Sequence, residues 1–531
     1  MLRIEEELKS QKIEIIESER IHSDELYLTV NKEDFKTACL SLHKLLKSAV
    51  IMFFAEDMRA QSKVFRIYCV FLDTQNHSWV VVRTDLSEDA LLFSSLAKDI
   101  YSASIFEREI KEMFGIMPQG CPDLRRLRLH DEVWPEGFYP LRKDSVLPKI
   151  CAFLGSYQFR RVEGNGVFEV GVGPVHAGII GPGHFRFSVV GEPIINLELR
   201  LGWTHRGIEK LLEGKDIFAG VKIFECISGD TAFGYSSAYC QAIEKILKVN
   251  IPLRAQYLRV IFLEFERIYN HINSLGGIAL DVGFSFPAQF ASLIKERLLQ
   301  LHERISGSRY LKGINTVGGV QVDIEDNKAE IIRKSIFGIQ KDILELEKML
   351  YSSTSFMDRV DSTGILRKKT AQDLGVTGLA ARSSGIALDM RKVFGGIYEK
   401  FTFNIIAEQA GDVCSRMKVR FWEIKESLGL INQGLEKLKS VVGTSGVAGG
   451  LPGGGEARSL DGVGIGCVEA WRGMLRVWCR IDKEGRIIRC KIVDPSFHNW
   501  EGLSFAALGN IIPDFPLCNK SFDLSYAGND L

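Results

Sequence analysis

Strand-like and helix-like segments alternate along the N-terminal part of the chain. Val64–Leu72 and Trp79–Thr84 are rich in β-branched and aromatic residues, and the polar segment between them predicts a β-hairpin. Apolar residues recur every three or four positions in Lys36–Ser48 and in Glu88–Ile100, which predicts two helices. This alternation indicates a small α/β domain over residues 1–150.

A loop-rich, proline-containing stretch over 118–148 is the best boundary before a second domain at 151–531. Strand-like residues with Gly/Pro turns occupy 165–200, and helical patterns dominate after them. The pair Gly276-Gly277 is expected to end the first long helix. Packed together, such helices form a bundle whose interior can hold a site. Three segments are predicted to be long helices: Arg254–Ser274, Ala329–Leu350 and Ala407–Lys439.

The C-terminal part begins with a glycine-rich segment, 443–466. It has neither the GxxxxGK[ST] spacing nor a strand-GxGxxG-helix context, so a flexible loop is predicted rather than a phosphate-binding loop. Leu475–Asp482 and Arg486–Val493 are predicted to form a hairpin that places Asp494-Pro495 at its end. The expected fold class is α+β, with a small α/β domain fused to a central helical bundle that carries peripheral β-hairpins.

Charge and cysteine usage narrow the classes of function. The 531 residues contain 67 Lys+Arg and 67 Asp+Glu, and this balance argues against nucleic acid as the main partner. No apolar run approaches the roughly 18–20 residues that span a bilayer, and the N-terminus has no signal-peptide core. We therefore expect a cytosolic chain unless partners carry it to a membrane. The eleven cysteines are scattered without CxxC spacing, which favours reduced thiols over disulfides or a metal site.

Three blocks in the first domain resemble one known subunit. Phe106–Ile116 is a charged segment that ends in Gly-Ile, and the basic, proline-punctuated blocks Pro122–Leu127 and Pro140–Asp144 follow it. In this order, the blocks resemble the signature of the 30-kDa-type subunit of complex I. The resemblance implies that this arm docks on a neighbouring large subunit.

Three blocks in the second domain carry a second resemblance. Gly173–His176, Gly181–Arg186 and Gly202–Lys210 are similar to the start of the 49-kDa-type subunit of complex I. They are equally similar to the large subunits of group 4 [NiFe] hydrogenases, such as those of formate hydrogenlyase and hydrogenase-4. The resemblance implies a fused 30-kDa/49-kDa (C/D) subunit with a hydrogenase large-subunit-like second domain. Further matching segments are Leu280–Gly283, Gly375–Gly378, Ala387–Lys392 and Glu469–Gly473.

The hydrogenases of this superfamily hold nickel and iron with two CxxC pairs. Matching Phe233 and the residues after Asp494-Pro495 to the family pattern places oxygen or amide side chains at all four ligand positions. A hydroxyl is not ionised near neutral pH and an amide is a weak neutral ligand, so neither replaces a bridging thiolate. We therefore expect no nickel–iron centre and no H₂ chemistry in this chain. The four replaced positions are Ser228, Thr231, Ser496 and Asn499.

The complex I resemblance implies that His184, on a hairpin loop, reaches a quinone headgroup and that Asp281 pairs with it. A histidine that titrates near neutral pH can donate one of the two protons that quinone reduction takes up. For both residues a turn-stabilising or capping role is the alternative. Gly229 stands where complex I has a tyrosine, which puts that headgroup geometry in doubt. The resemblance also implies cavity-lining roles, with hydrogen bonding or ordinary ion pairing as the alternative, for His176, Arg186, Asp230, Arg382 and Arg391.

The predicted function is that of a catalytic-core subunit in a membrane-associated complex I-like oxidoreductase of the NADH-quinone oxidoreductase or formate hydrogenlyase type. The chain is expected to lie peripherally on the cytoplasmic side, between an iron–sulfur subunit that holds a [4Fe–4S] cluster and membrane-arm subunits. It would bind no cofactor of its own, and quinone is the candidate acceptor coupled to ion translocation. A redox-inert scaffold and a hydrogenase large subunit are the alternatives, and NADH, formate or ferredoxin stay open as electron donors.

Overall fold

The computed structural model describes residues 2–148, 155–441 and 460–531. The predicted domain boundary at residue 150 and most of the predicted glycine-rich loop lie outside these ranges. The N-terminal part contains four helices and seven strands among its described residues: α1 Leu2–Ser10, β1 Ile15–His22, β2 Glu25–Val30, α2 Lys32–Leu46, β3 Met52–Asp57, α3 Arg59–Ser62, β4 Val64–Asp73, β5 Ser78–Ser87, β6 Leu92–Ser94, α4 Ser104–Phe114 and β7 Met117–Gln119.

Five of these strands form one sheet in the order β1-β2-β5-β4-β3, in which β2 and β5 are parallel and the other pairs antiparallel. The predicted hairpin is confirmed as β4–β5, with Asp73 opposite Ser78. The helix predicted at 88–100 is wrong, because only Glu88–Ala90 forms a 3₁₀ turn before β6. The buried carboxylate of Glu107 accepts the Leu96 N–H at 2.5 Å, and this bond holds the segment in a non-helical turn.

The second part is built mainly from helices, with small sheets around them. No helix among the described residues is both long and apolar enough to cross a membrane. The elements are β8 Val167–Val172, β9 His184–Val190, β10 Ile194–Arg200, α5 Ile208–Leu212, α6 Ile217–Phe224, α7 Ala232–Leu247, α8 Leu253–Asp281, α9 Ser285–Ser306, β11 Asn315–Thr316, β12 Gly319–Val320, α10 Asp326–Ser352, α11 Thr354–Val360, α12 Lys368–Leu374, α13 Gly378–Ser383, α14 Met390–Val393, α15 Val413–Lys439, β13 Gly462–Ala470, β14 Gly473–Ile481, β15 Ile487–Val493, α16 Ser496–Ala506, α17 Phe515–Phe522 and α18 Tyr526–Asp530.

Helix α8 lies at the centre of the predicted bundle and packs against α7, α9, α15 and α17. It does not end at Gly276 and Gly277 as predicted. A Cβ on Gly276 would lie 2.9 Å from the Cβ of Ala291 in α9, and one on Gly277 would lie 2.0 Å from the Cε of Lys520. The two glycines therefore allow close packing inside a continuous helix. Helix α15 begins later than predicted, at Val413, because the side chain of Asp412 accepts the Ser415 N–H at 2.7 Å and caps the helix.

The three antiparallel strands β13, β14 and β15 join the two parts of the chain. The predicted second hairpin is confirmed as β14–β15, and Asp494 follows directly after β15. The ring of Trp478 in β14 packs 4.9 Å from Phe54 and 5.2 Å from Tyr68, which belong to the N-terminal sheet. One hydrophobic core thus runs through both parts, and the α+β fold class is confirmed.

The prediction of a loop for 443–466 is wrong at its end, since β13 starts at Gly462. Gly462, Gly464 and Gly466 alternate along one face of the strand, and that face lies against α7. A Cβ on Gly464 would lie 2.7 Å from the carbonyl oxygen of Ala242, and one on Gly466 would lie 1.9 Å from that of Ala238. The repeated glycines allow the strand to approach the helix closely. Composition alone does not distinguish this role from that of a flexible loop.

Replacing Gly466 by Ala tests this close approach. The new methyl group would collide with the α7 backbone, so we expect the free energy of unfolding to fall by about 1–3 kcal/mol or more. The control is Gly429→Ala in α15, where a Cβ meets nothing within 4 Å and the change should be neutral or stabilising. Urea denaturation followed by circular dichroism measures both variants, and equal stabilities would contradict the packing argument.

Candidate functional site

Two local structures bring the four replaced ligand positions into one region. Ser228 and Thr231 lie in the turn between α6 and α7, and Thr231 is the N-cap of α7. Ser496 and Asn499 lie in the first turn of α16, which the Asp494 carboxylate starts by accepting the Ser496 N–H at 2.6 Å. The β14–β15 hairpin therefore delivers the second pair beside the start of α7.

A carboxylate and a guanidinium occupy the centre of this region. The Asp230 carboxylate accepts hydrogen bonds from Ser228 Oγ at 2.7 Å and from Thr231 Oγ1 at 2.9 Å. Arg472 binds both oxygens of the same carboxylate, at 3.0 and 2.6 Å. Partial burial would raise the pKa of Asp230, but Arg472 and the two hydroxyls lower it below its ordinary value. Asp230 is therefore an ionised carboxylate held by a bidentate ion pair.

Ser525 connects the first pair of positions to the second. Its hydroxyl lies 2.9 Å from Ser228 Oγ, and its N–H donates to Ser496 Oγ at 2.9 Å. Ser228, Thr231 and Ser496, together with Asp230 and Arg472, are called the hydroxyl site below. Asn499 does not join it, because its amide binds the N–H and carbonyl of Thr377 at 3.0 and 3.2 Å.

These groups do not fit a nickel–iron centre. Each of the four side chains is neutral and already bonded within the protein, whereas such a centre needs thiolates. Within the described ranges, no group of three or more His, Cys, Asp or Glu side chains is arranged to hold a metal ion. The hydroxyl site has an open side instead: the Asp230 side chain is 37% exposed, and a Cβ on the exposed Gly229 would meet nothing within 4 Å.

The predicted histidines lie at the base of the β8–β9 connection. His176 Nε2 is 2.7 Å from the carbonyl oxygen of Gly183, and this is the hydrogen bond expected under the structural alternative for this residue. His184 Nδ1 is 3.2 Å from the carbonyl oxygen of Gly173, and its ring lies 5.2 Å from the Phe159 ring. His184 Nε2 is buried and has no hydrogen-bond partner among the described residues. It is thus a buried polar atom that no described residue satisfies.

Two known protein families match the two parts of the chain, in the order in which the parts occur. Residues 28–150 match the family described as respiratory-chain NADH dehydrogenase, 30 Kd subunit, and residues 281–447 match the corresponding 49 Kd subunit family. Formate hydrogenlyase subunit 5 of Escherichia coli (strain K12) is 30% identical over 491 residues, which cover 90% of this chain and 84% of that protein. The chain belongs to the fused complex I-type subunit family.

Other relatives match either nearly the whole chain or about two thirds of it. Hydrogenase-4 component G of Escherichia coli (strain K12) is 29% identical over 522 residues, covering 97% of this chain and 90% of that protein. The NADH-quinone oxidoreductase D-type subunit of Rickettsia prowazekii (strain Madrid E) is 29% identical over 386 residues, covering 69% of this chain and 99% of that protein. The predicted resemblance is confirmed, and the chain is a complex I-like core subunit of a multisubunit oxidoreductase.

Two residues predicted to line a cavity are bound in a charge network in the core. Arg382 binds Glu423 at 2.8 Å and Glu469 at 2.7 Å, and its side chain is buried. Arg391 binds Asp389 at 2.7 Å and Glu264 at 3.1 Å. Ordinary ion pairing, the alternative for both arginines, is what the structure shows.

Arg391 does border a cavity of about 300 Å³ between α7, α8 and β13, but none of the four replaced positions lines that cavity. The predicted lining role of Arg186 has a similar outcome: its guanidinium binds Glu169 and lies over the Phe159 ring, 4.8 Å from its centroid. Arg186 therefore belongs to the β8–β9 sheet and makes no bond to the hydroxyl site.

Asp281 lies at the exposed end of α8 and makes no hydrogen bond or ion pair with His184. Partial burial raises the pKa of Asp281, Lys520 lowers it, and Asp523 raises it further. The predicted His184–Asp281 contact is absent from this structure, and their functional roles stay predictions.

Sequence reasoning missed two ionisable residues at or next to the hydroxyl site. Arg472 stood within the matched segment Glu469–Gly473, but nothing in its spacing showed that Asp230 would be its partner. The second is Glu266, which lies on the apolar side of α8 and accepts the N–H groups of Phe233 and Gly234 at 2.7 and 2.9 Å. The available signal was a carboxylate within the helical repeat of apolar residues Phe262, Phe265 and Tyr269.

Glu266 is a buried carboxyl group that binds the first turn of α7, next to Thr231 of the hydroxyl site. Burial raises its pKa to about 8, although the two N–H groups and Arg267 lower it and Asp230 raises it further. Glu266 is therefore protonated near neutral pH, in contrast to the ionised Asp230. Asp230, which is ionised, directly precedes the N-cap of α7, and Glu266, which is neutral, binds the first turn of the same helix.

The first prediction concerns the Asp230–Arg472 pair. Asp230→Asn leaves a buried guanidinium without its counter-charge, so we expect the free energy of unfolding to fall by about 1–3 kcal/mol, a range discounted for the partial exposure of Asp230. The double variant Asp230→Asn/Arg472→Met should recover most of this loss, because it removes the unpaired charge. Urea denaturation measures both, and a double variant as unstable as the single one would contradict the pairing.

The second prediction concerns the pH dependence from Glu266. Because its folded pKa lies above the ordinary value of 4.5, the stability from the protonated form is present below about pH 4.5 and lost as pH rises towards 8. Glu266→Gln cannot ionise, and its single acceptor oxygen serves only one of the two N–H groups, a loss that does not depend on pH. We expect its melting temperature to fall less than that of the parent protein between pH 5 and 8.

The control is the exposed residue Glu345, whose replacement by Gln should leave the parental pH slope unchanged. Melting temperatures measured by differential scanning fluorimetry across this range compare the three proteins. Identical slopes for the Glu266→Gln variant and the parent protein would show that Glu266 does not titrate there.

Proposed function

We propose that the chain carries a quinone-reducing site within a membrane-associated complex I-like oxidoreductase. A neighbouring iron–sulfur subunit supplies electrons from its [4Fe–4S] cluster, and a quinone accepts them. The chain lies peripherally on the cytoplasmic side, and its protonation changes are passed to membrane-arm subunits that move ions. NADH, formate and ferredoxin remain the candidate electron donors.

The observation that carries this proposal is the chemistry of the hydroxyl site. Neutral hydroxyls stand at three of the four positions where the resemblance places metal ligands in the hydrogenases, and the ionised Asp230 carboxylate binds two of them. Such a set can exchange protons and hydrogen-bond a carbonyl oxygen, but it has no soft ligand for nickel. Its open side at Gly229 faces outward, where a neighbouring subunit can complete a cavity.

His184 supplies the second support. Two-electron reduction of a quinone consumes two electrons and two protons and gives a hydroquinone. Because its Nδ1–H donates to the Gly173 carbonyl oxygen, His184 can give one proton to a quinone oxygen from Nε2 only as the doubly protonated ring, and that Nε2 lacks a partner among the described residues. Its Nδ1 contact with the Gly173 carbonyl oxygen fixes the ring orientation for that role.

A redox-inert scaffold is the second candidate function, and two observations favour it. The lost ligand positions are satisfied by bonds inside the protein, and His184 has no contact with Asp281. Under this alternative the chain only joins subunits. Saturable binding of a quinone analogue to the purified complex, with protection of this chain, separates the two functions, and elemental analysis for nickel tests the hydrogenase alternative.

The third prediction is that His184→Ala assembles normally but slows quinone reduction. The complex is reduced with dithionite, and its reoxidation by a short-chain quinone is followed, so the natural donor is not needed. Loss of a positioned proton donor should slow reoxidation by about 10²-fold or more. The control is His43→Ala, because His43 only contacts the Ser48 carbonyl oxygen in the N-terminal part. Unchanged reoxidation in an equally assembled His184→Ala complex would remove His184 from the mechanism and favour the scaffold.

A further inference from the structure

Helix α10 has two apolar faces, of which one is buried in the bundle. The other carries Phe337, Leu344 and Tyr351, which are 61%, 51% and 36% exposed. These three residues are seven positions apart, so they form one row along the helix. The buried face consists of Ile332, Ile336, Ile339, Ile343, Leu346 and Leu350.

Lysines alternate with the exposed apolar residues in the same row. Lys334, Lys341 and Lys348 are also seven positions apart and precede the apolar residues by three positions each. Lys341 and Lys348 form no ion pair with any residue in the described ranges, and the Lys341 ammonium lies 4.4 Å from the centroid of the Phe337 ring. We call these six residues the α10 row. The row is apolar and cationic, and its residues repeat at the seven-residue spacing of a coiled coil.

A groove runs beside the α10 row, between α10 and α9. Its volume is about 530 Å³, and its charged lining residues are Arg297, Arg304, Lys334, Lys341 and Asp342. Four cations against one carboxylate give this lining a net charge of +3; Asp342 is bound to Arg297, and Lys334 lies 3.7 Å from Glu330 just outside the lining. The whole chain is neutral, so this charge is a local feature of the groove.

The shape and charge of this surface select among ligands. A second copy of the chain would bring another cationic row against the first, which repulsion disfavours. A flat anionic membrane could meet the exposed lysines but would leave the groove between two helices unfilled. A helix fills such a groove with its own ridge of side chains, and acidic residues flanking that ridge would pair with the lysines and arginines.

We propose that the α10 row and the adjoining groove bind an acidic amphipathic helix from another protein chain. The helix presents apolar residues at three- and four-residue spacing to Phe337 and Leu344. Its flanking Asp and Glu residues face Arg304, Lys341 and Lys348. This surface lies on the solvent-facing side of α9 and α10 and shares no residue with the hydroxyl site, so the interaction is independent of quinone chemistry.

A synthetic peptide tests the recognition directly. The probe is a fluorescent helix of about four heptads with Leu at the seam and Glu beside it, and the comparison peptide has Lys in place of each Glu. We expect the purified chain to bind only the acidic peptide. The variant Lys341→Glu/Lys348→Glu should raise its Kd by about tenfold or more in fluorescence anisotropy.

The matched control is Lys368→Glu/Lys369→Glu, which reverses two exposed lysines on α12 and should leave the Kd unchanged. Equal losses in the two double variants, equal binding of both peptides, or binding of anionic lipid vesicles in place of the acidic peptide would overturn the proposal. The last of these outcomes would identify the row as a membrane contact.

Cross-linking in the intact complex locates the natural helix. A photoreactive phenylalanine analogue at Phe337 should form an adduct with an acidic helical segment of another subunit, identified by mass spectrometry. The same analogue at the exposed Phe286 in α9, away from the lysine row, is the position control and should not capture that segment. A lipid adduct, a basic segment or no adduct at Phe337 would contradict the proposal.

Discussion

The fold depends on neutralising charged side chains that are removed from water. Glu264 and Arg267 of α8, Arg382 of α13, Glu423 of α15 and Glu469 of β13 are all buried and bound to one another. A buried charge without its partner destabilises a protein strongly, so each of these elements is fixed by the others. The network therefore sets the relative positions of the central helices and the strand β13.

The same network reaches the hydroxyl site through the backbone. Arg267 donates to the carbonyl oxygens of Glu469 and Ala470, at 2.6 and 3.2 Å, immediately before the β13–β14 turn. That turn carries Trp471, whose indole N–H binds Thr231 at 3.0 Å, and Arg472, which binds Asp230. Charge pairing in the core thus orients the groups of the hydroxyl site.

Sequence patterns predicted the elements that local contacts stabilise. They failed where contacts between residues distant in sequence determine the structure. The β4–β5 hairpin and the long helices were predictable because their spacing reports burial directly. Gly276 and Gly466 were misinterpreted because the reason for a glycine there is a neighbouring backbone or side chain distant in sequence. For the site, the resemblance located Ser228, Thr231 and Ser496 in one region. The Asn499 side chain binds the backbone of Thr377 instead. Arg472 and Glu266 could not be assigned from spacing, since their partners depend on how β14 and α7 meet α8.

The packing of Trp478 against the stacked rings of Phe54 and Tyr68 has a consequence for the covalent connection between the two parts. The apolar interface between the two parts would be exposed to solvent if the chain were divided near residue 150. Each half would then expose aromatic surface, which favours association of the two halves. Covalent linkage of the halves replaces a bimolecular encounter by an intramolecular one and guarantees equal stoichiometry. The joined polypeptide should accordingly melt as a single cooperative unit rather than as two independent modules.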